Sequence, residues 1–326
     1  MTTLSTFMGG AAARALPDAV VEKTKFMILD TLAAMISGSE LPPGKFAIQF
    51  AKAYGGNPVA TVAGSSVRCG PIEAALANGI LAHSDETDDT HPPSQSHPGC
   101  AAIPATLAVG EKFGIDGTRF LRSVALGYDV GTRITATLGK LQYMFESHRS
   151  THGIAGNFVA AAAAGCAAGL NTQQMRWLLS YASQQASGLA SWQRDIDHIE
   201  KAFDFGGMAA RNGVTGGAAR PGGWNRSRRH PVRHRQFLPG ICPEEQPRDG
   251  RRSARNTVRD HADRHQEVDG RRADSGTARR ALIRSSSASG STRRRSSRSS
   301  SASQPTNRPS STTGRFPTST CSTSSR

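Results

Sequence analysis

The stretch from residue 83 to residue 97 concentrates groups that can move protons. Its carboxylates are Asp85, Glu86, Asp88 and Asp89, and its histidines are His83, His91 and His97. Neighbouring carboxylates repel one another, so partial burial of this loop would raise some of their pKa values. Histidine gives and accepts protons close to neutral pH. The loop therefore supplies candidate acids and bases between two apolar segments.

Two other interpretations of the same loop stay open. A solvated acidic loop that only caps the neighbouring helices would have this composition. Asp and His are also metal ligands, although neither an HExxH pattern nor EF-hand spacing occurs in the loop.

Two later stretches carry candidate residues for holding an anion. Residues 148–153 (His-Arg-Ser-Thr-His-Gly) precede an Ala-rich segment, and the start of a helix attracts negative charge. A histidine there can equally be a packed or capping residue. Lys201, within the segment 197–207, could clamp a carboxylate or form a surface ion pair with the acids around it.

The elements that would position these residues are mostly helical. Apolar residues at helical spacing predict a helix from Asp18, capped by that residue, through Val21, Leu29, Leu32, Met35 and Ile36. Pro42-Pro43-Gly44 should break the pattern. Further helices are predicted at 45–54, 71–82, 101–113, 116–138, 155–170 and 171–187, with a short extended piece at 59–63. Either Asp116 or Thr118 could cap the helix that runs to Leu138. Ala-rich helices without alternating strands indicate a mainly α fold, an all-helical bundle, in which 155–170 is central.

The charge of the chain is unevenly distributed. The 326 residues have a formal net charge of +15, which by itself suggests a nucleic-acid partner. Residues 1–215 hold 16 Lys and Arg against 17 Asp and Glu, a net of −1. Residues 216–326 hold 24 Arg, no Lys and 8 Asp and Glu, a net of +16. The excess of positive charge therefore lies entirely in the last third of the chain.

Several protein classes are excluded on composition and pattern. No apolar run reaches the roughly 18–20 residues that a membrane span needs. The first residues lack the pattern of a secretory signal, so we expect a cytoplasmic protein. Five scattered cysteines without a CxxC pair argue against a zinc ribbon or an iron–sulfur cluster and favour free thiols.

Residues 216–326 differ abruptly in composition from what precedes them. They are rich in Arg, Ser, Gly and Pro and poor in large apolar residues, so we expect a disordered tail. The composition is also typical of a GC-rich coding sequence read out of frame, which is our hypothesis for its origin. Non-specific binding of polyanions through this tail is expected from its charge.

Taken together, the residues of the first part resemble the MmgE/PrpD family over roughly 10–215. The resemblance rests on Asp30-Thr31-Leu32-Ala33, on His83 through Thr90 with His97-Pro98, and on the Gly-then-Ala run 156–165. It continues in Lys201, Gly206 and the segment 209–213. Val159 departs from the pattern, since the family often has Gly there. The resemblance implies that the chain lacks the family's lid domain and that the helical domain, at 1–215, is incomplete.

The resemblance implies a pocket for a small di- or tricarboxylate substrate, with no cofactor and no metal, in a homodimer. Carried over by position, Glu86 is the acidic site residue, Thr90 the Thr of the Asp-Asp-Thr motif, and His97 the His of the His-Pro motif. Lys201 is the lysine that neutralises a substrate carboxylate. The family's second histidine falls near residue 150, and we assign it to His152.

The resemblance also implies proton abstraction beside a carboxylate, with His97 or His152 as base or acid. We expect a lyase similar to 2-methylcitrate dehydratase, with impaired activity because the lid is missing. Decarboxylation or epimerisation within the same family is the alternative, and polyanion binding by the basic tail is the non-enzymatic one.

Overall fold

The computed structural model describes residues 2–217, except for the side chains of residues 140 and 141. The predictions of a disordered tail, an out-of-frame origin and polyanion binding all concern residues outside this range. The described part is predominantly helical, as the sequence predicts. Within it, no helix is both long enough and apolar enough to cross a membrane.

The helices follow one another with short connections. They are α1 (Thr2–Gly9), α2 (Asp18–Gly38), α3 (Pro42–Tyr54), α4 (Pro71–Ala82), α5 (Gly99–Phe113), α6 (Gly117–Ala136), α7 (Lys140–Ser147), α8 (Thr151–Ala168), α9 (Thr172–Gln185), α10 (Ile199–Ala202) and α11 (Ala209–Gly217). Short 3₁₀ turns occur at Ala11–Ala13, Pro92–Ser94 and Ala190–Arg194, and a π-helix spans Phe203–Met208. A two-residue antiparallel pair, β1 (Ala60–Thr61) and β2 (Arg68–Cys69), confirms the extended piece.

Helix α8 is the centre of the bundle, and every one of its residues except His152 is buried. Helices α5, α6, α9 and α11 pack around it. Small residues make this possible: a methyl group on Gly131 of α6 would overlap Val159, and one on Gly213 of α11 would overlap Ala160. The Ala/Gly composition of α8 thus reflects close helix–helix approach.

Several helix boundaries and part of one helix face differ from the sequence prediction. Helix α3 begins at Pro42, because proline is accommodated in a first turn. Asp18 is the first residue of α2 and makes no side-chain cap. Leu29, predicted on the apolar face of α2, is 58% exposed.

Helix α8 starts at Thr151, four residues earlier than predicted, because the Ser150 hydroxyl caps it by accepting a hydrogen bond from Gly153 N at 3.0 Å. This early start places His152 in the first turn of the buried helix. Of the two residues that could cap α6, Asp116 and Thr118, Asp116 does so: its carboxylate accepts a hydrogen bond from Arg119 N at 2.7 Å.

Candidate active site

A buried pair of side chains, His83 and Asp88, forms at the end of α4. His83 follows the last residue of that helix, and its Nδ1 lies 2.9 and 3.0 Å from the two carboxylate oxygens of Asp88. Both side chains are completely buried. Burial lowers the pKa of His83 well below its usual value and raises that of Asp88 to about 7. We assign a neutral imidazole that donates its Nδ1 proton to Asp88, because an ionised carboxylate only accepts.

Two further histidines lie next to this pair. His97 Nδ1 is 3.6 Å from Asp88 Oδ2, and the His97 ring centroid is 4.8 Å from that of His83 and 5.2 Å from that of His152. Burial lowers the pKa of His97, an effect that Asp88 opposes. Burial also lowers the pKa of His152 to about 3, reinforced by His97 and His83. The imidazoles of His83, His97 and His152 are therefore neutral at pH 7, and the ring of His97 lies next to both of the others.

Phe205, in the π-helix, packs against all three imidazoles. Its ring centroid is 4.9 Å from that of His83, 5.8 Å from that of His97 and 4.2 Å from that of His152, with which it is nearly parallel. Trp192 closes the other side, with centroids 4.9 Å from Phe205 and 5.9 Å from His152. These aromatic rings exclude water from the histidines and so account for much of their desolvation.

The side chain of Lys201 places a positive charge in the same cluster. Its ammonium group lies 5.4 Å from the Trp192 ring centroid and 5.5 Å from that of Phe205, within the range of cation–π attraction. The ammonium forms an ion pair with the half-exposed carboxylate of Glu86. Burial lowers the pKa of Lys201. Glu86 itself has a φ of +53°, an uncommon conformation for a residue other than glycine.

The π-helix that carries Phe205 is held against α4 by two glycines. A methyl group on Gly79 would overlap the backbone of Gly206, and one on Gly206 would overlap the carbonyl of Gly79. The π-helix also buries Asp204 beside Gly153, in the first turn of α8. Burial raises the pKa of Asp204 to about 6. A π-helix is rare and frequently marks a functional site.

The structure places four of the five predicted site residues, Glu86, His97, His152 and Lys201, in this cluster. Thr90, the fifth, is exposed. The loop around it is nevertheless anchored, because the Thr151 hydroxyl donates to the carbonyl of Gln95 at 3.0 Å. The assigned roles of all five residues stay predictions.

Three members of the cluster were not assigned from the sequence. His198 Nε2 donates to the carbonyl oxygen of His83 at 2.8 Å, across 115 positions of the chain. The segment 197–207, considered only for Lys201, also contains His198 and Phe205. No sequence signal distinguishes Trp192.

Two groups of side chains have donor atoms close enough to hold one cation. They are His83 with Asp88 and His97, and His83 with Glu86 and His198; the donor atoms within each group lie within 4.8 Å of one another. The hydrogen bond between His83 and Asp88 accounts for the proximity in the first group, and the ion pair of Glu86 with Lys201 accounts for much of it in the second. Neither group needs an ion to explain its geometry.

Unsatisfied polar atoms accumulate in this cluster. Within residues 2–217, the buried atoms His83 Nε2, His97 Nδ1, His152 Nδ1 and Trp192 Nε1 have no hydrogen-bond partner. Buried polar atoms are usually bonded, so each such atom calls for an explanation such as a ligand or a catalytic role. Neutral imidazoles beside an ammonium group could bind an anion and exchange protons with it.

Comparison with known proteins identifies the family of the chain. The model of the MmgE/PrpD N-terminal domain matches residues 2–219. The chain is 30% identical to human cis-aconitate decarboxylase over 221 residues, which is 65% of this chain and 44% of that protein. It is 28% identical to the cis-aconitate decarboxylase of Aspergillus terreus over 222 residues, 64% of this chain and 43% of that protein. The chain thus spans less than half of the length of these relatives. The family match covers more than half of the chain, which therefore belongs to the MmgE/PrpD family.

Proposed function

We propose that the cluster binds a small tricarboxylate of the cis-aconitate type and that the chain descends from a decarboxylating lyase. The observation that carries this proposal is the position of the Lys201 ammonium beside a set of neutral imidazoles with unpartnered nitrogens. The names of the two relatives favour decarboxylation over the dehydration of 2-methylcitrate that we expected from the sequence.

The residues would divide the work as follows. Lys201 would hold a substrate carboxylate, which replaces Glu86 on its ammonium group. Glu86, once displaced, and Thr90 would orient the substrate. Decarboxylation breaks the bond between carbon and the leaving carboxyl group and leaves the electron pair on the substrate. His97 or His152 would then deliver a proton to the carbon skeleton. Because the pKa of Asp88 is about 7, some of the molecules carry a protonated Asp88 near neutral pH, and that carboxyl group could restore the proton to His97.

The first test is binding, because it can be measured without turnover. Titration of the full chain with cis-aconitate in a calorimeter should give a saturable heat. Lys201→Ala should weaken the complex by about 10- to 100-fold, the value of a hydrogen bond to a charged group. Lys112→Ala, which removes an exposed lysine on α5, is the matched control and should leave the affinity unchanged.

Turnover is measured separately with cis-aconitate and with 2-methylcitrate. Release of CO₂ from the former supports decarboxylation, whereas loss of water from the latter would favour the dehydratase alternative. If cis-aconitate does not bind, or if Lys201→Ala binds it as well as the unchanged chain, the proposed function is wrong.

A further inference from the structure

Trp192 is fastened to the segment that leads into α8. It lies in the 3₁₀ turn Ala190–Arg194. Ala190 N donates to the carbonyl of His148 at 2.9 Å, and Ser150 N donates to the carbonyl of Gly188 at 3.1 Å. These two backbone hydrogen bonds fix the turn that carries Trp192 against the first turn of α8.

The indole ring contacts both kinds of group in the cluster. The ammonium group of Lys201 is 5.4 Å from its centroid, and the ring of His152 meets it edge-on at 5.9 Å and 80°. It also packs edge-on against Phe205 at 4.9 Å and 79°. Trp192 therefore lies between the cation expected to hold a carboxylate and a histidine expected to exchange a proton.

The polar atom of this ring lacks a partner. Trp192 Nε1 is buried, and no acceptor for it exists within residues 2–217. An indole N–H can only donate, and buried tryptophans usually satisfy it. Leaving such a donor unpaired destabilises the folded chain. Packing against Phe205 explains the ring of Trp192 but leaves its N–H unexplained.

We propose that Trp192 is a substrate-contacting residue whose indole N–H donates a hydrogen bond to an oxygen of the carboxylate held by Lys201. This inference rests on the proposed function and adds a specificity residue to it. A ligand oxygen there would accept the indole hydrogen bond and form an ion pair with the Lys201 ammonium group at the same time. The arrangement selects ligands with an acceptor oxygen at that position and disfavours analogues in which an apolar group replaces it.

The decisive observation is the indole resonance of Trp192 in a ¹H–¹⁵N spectrum of the full chain. The chain has three tryptophans, Trp177, Trp192 and Trp224, so three indole signals are expected. Loss of one signal in Trp192→Phe assigns it, and if that variant does not fold, Trp177→Phe and Trp224→Phe assign it by elimination. Addition of cis-aconitate should move the Trp192 signal downfield, as a new acceptor requires.

Affinity supplies the second readout. Trp192→Phe keeps an aromatic ring and removes the N–H, so cis-aconitate should bind about 10-fold or more weakly. Trp177→Phe, on α9, is the matched control and should bind like the unchanged chain. If cis-aconitate binds but the Trp192 signal does not move downfield, or if Trp192→Phe binds equally well, this inference is wrong and the proposed function stands. If the unchanged chain does not bind cis-aconitate, both are wrong.

Discussion

His83 and Asp88 form a completely buried pair in which one imidazole nitrogen faces both oxygens of one carboxylate, at 2.9 and 3.0 Å. The second oxygen also lies 3.6 Å from His97. Asp88 thus fixes the orientation of one ring and lies next to another. Its carboxylate acts on a ligand only through these histidines, which makes it a positioning residue.

Replacement of this carboxylate should destabilise the fold and alter proton exchange together. Asp88→Asn keeps the shape and one acceptor for His83 but puts an amide donor in place of the second acceptor oxygen. This leaves a buried donor without a partner, so we expect a loss of about 1–3 kcal/mol in the free energy of unfolding. Urea unfolding measures it. Asp18→Asn, an exposed carboxylate on α2, is the control and should change stability by less than about 0.5 kcal/mol. Equal stability of the two variants would contradict a structural role for the pair.

The buried His152 should make the fold sensitive to acid. Its pKa is lowered to about 3 from a usual 6.5, so the unfolded chain binds the proton more tightly than the folded one. Stability from this residue is intact above pH 6.5 and is lost as the pH falls toward 3. His152→Gln removes this titration. The free energy of unfolding of the variant, relative to that of the unchanged chain, should therefore be about 2 kcal/mol higher at pH 5 than at pH 7. His148→Gln, at an exposed position, is the control, and an equal gain there would show that the burial of His152 is not the cause.

The ion pair of Glu86 with Lys201 should compete with a bound carboxylate. Glu86→Gln removes the competing charge from a partly exposed pair, which is worth up to about 1 kcal/mol, so cis-aconitate should bind up to about fivefold more tightly. If Glu86 also orients the substrate, kcat should fall while KM decreases. Glu22→Gln breaks an exposed ion pair with Lys25 on α2 and should change neither the affinity for cis-aconitate nor the kinetic constants. Weaker binding by Glu86→Gln would show that Glu86 does not occupy the ligand's position on Lys201.

The close approach of α4 and the π-helix should tolerate no side chain. In Gly206→Ala the methyl group would overlap the carbonyl of Gly79, and because both partners are backbone, neither can turn aside. We expect a loss of about 3 kcal/mol or more in the free energy of unfolding. Gly117→Ala in α6 places its methyl group in open space and should be neutral or slightly stabilising. Thermal unfolding of the two variants checks the contrast, and similar melting temperatures would be inconsistent with the described packing.

Seven of the helices, α2 to α6, α8 and α9, could be predicted from the sequence because each has an apolar surface and begins or ends near Pro, Gly or a capping residue. Helices α1, α7, α10 and α11 were not predicted. Helix α4 runs from Pro71 to Ala82 as predicted, and the loop after it contains the site. The resemblance to a family located Lys201 and His97, which lie 104 positions apart in the sequence and meet only in the fold.

The environment of individual loop residues could not be predicted. Asp88 is buried whereas Glu86, two positions earlier, is exposed, and no difference in residue type marks this. Their placement depends on His83 and Lys201, which approach from other elements. The π-helix was equally hidden, because one extra residue per turn leaves no trace in composition. Gly206 and Gly207 were its only hint.

The contact between Gly79 and Gly206 joins the helix that leads into His83 to the turn that carries Phe205. The groups proposed to exchange protons and the group proposed to neutralise charge are therefore held near the same close backbone contact, which would set their separation before any ligand arrives. Adjustment to a ligand then falls on the exposed backbone around Glu86 and on the segment near Ile196, which is 96% exposed. Entry and exit of ligands are thereby separated from the accuracy of the chemistry, so changes in these outer segments should affect the rate of exchange more than the outcome of the reaction.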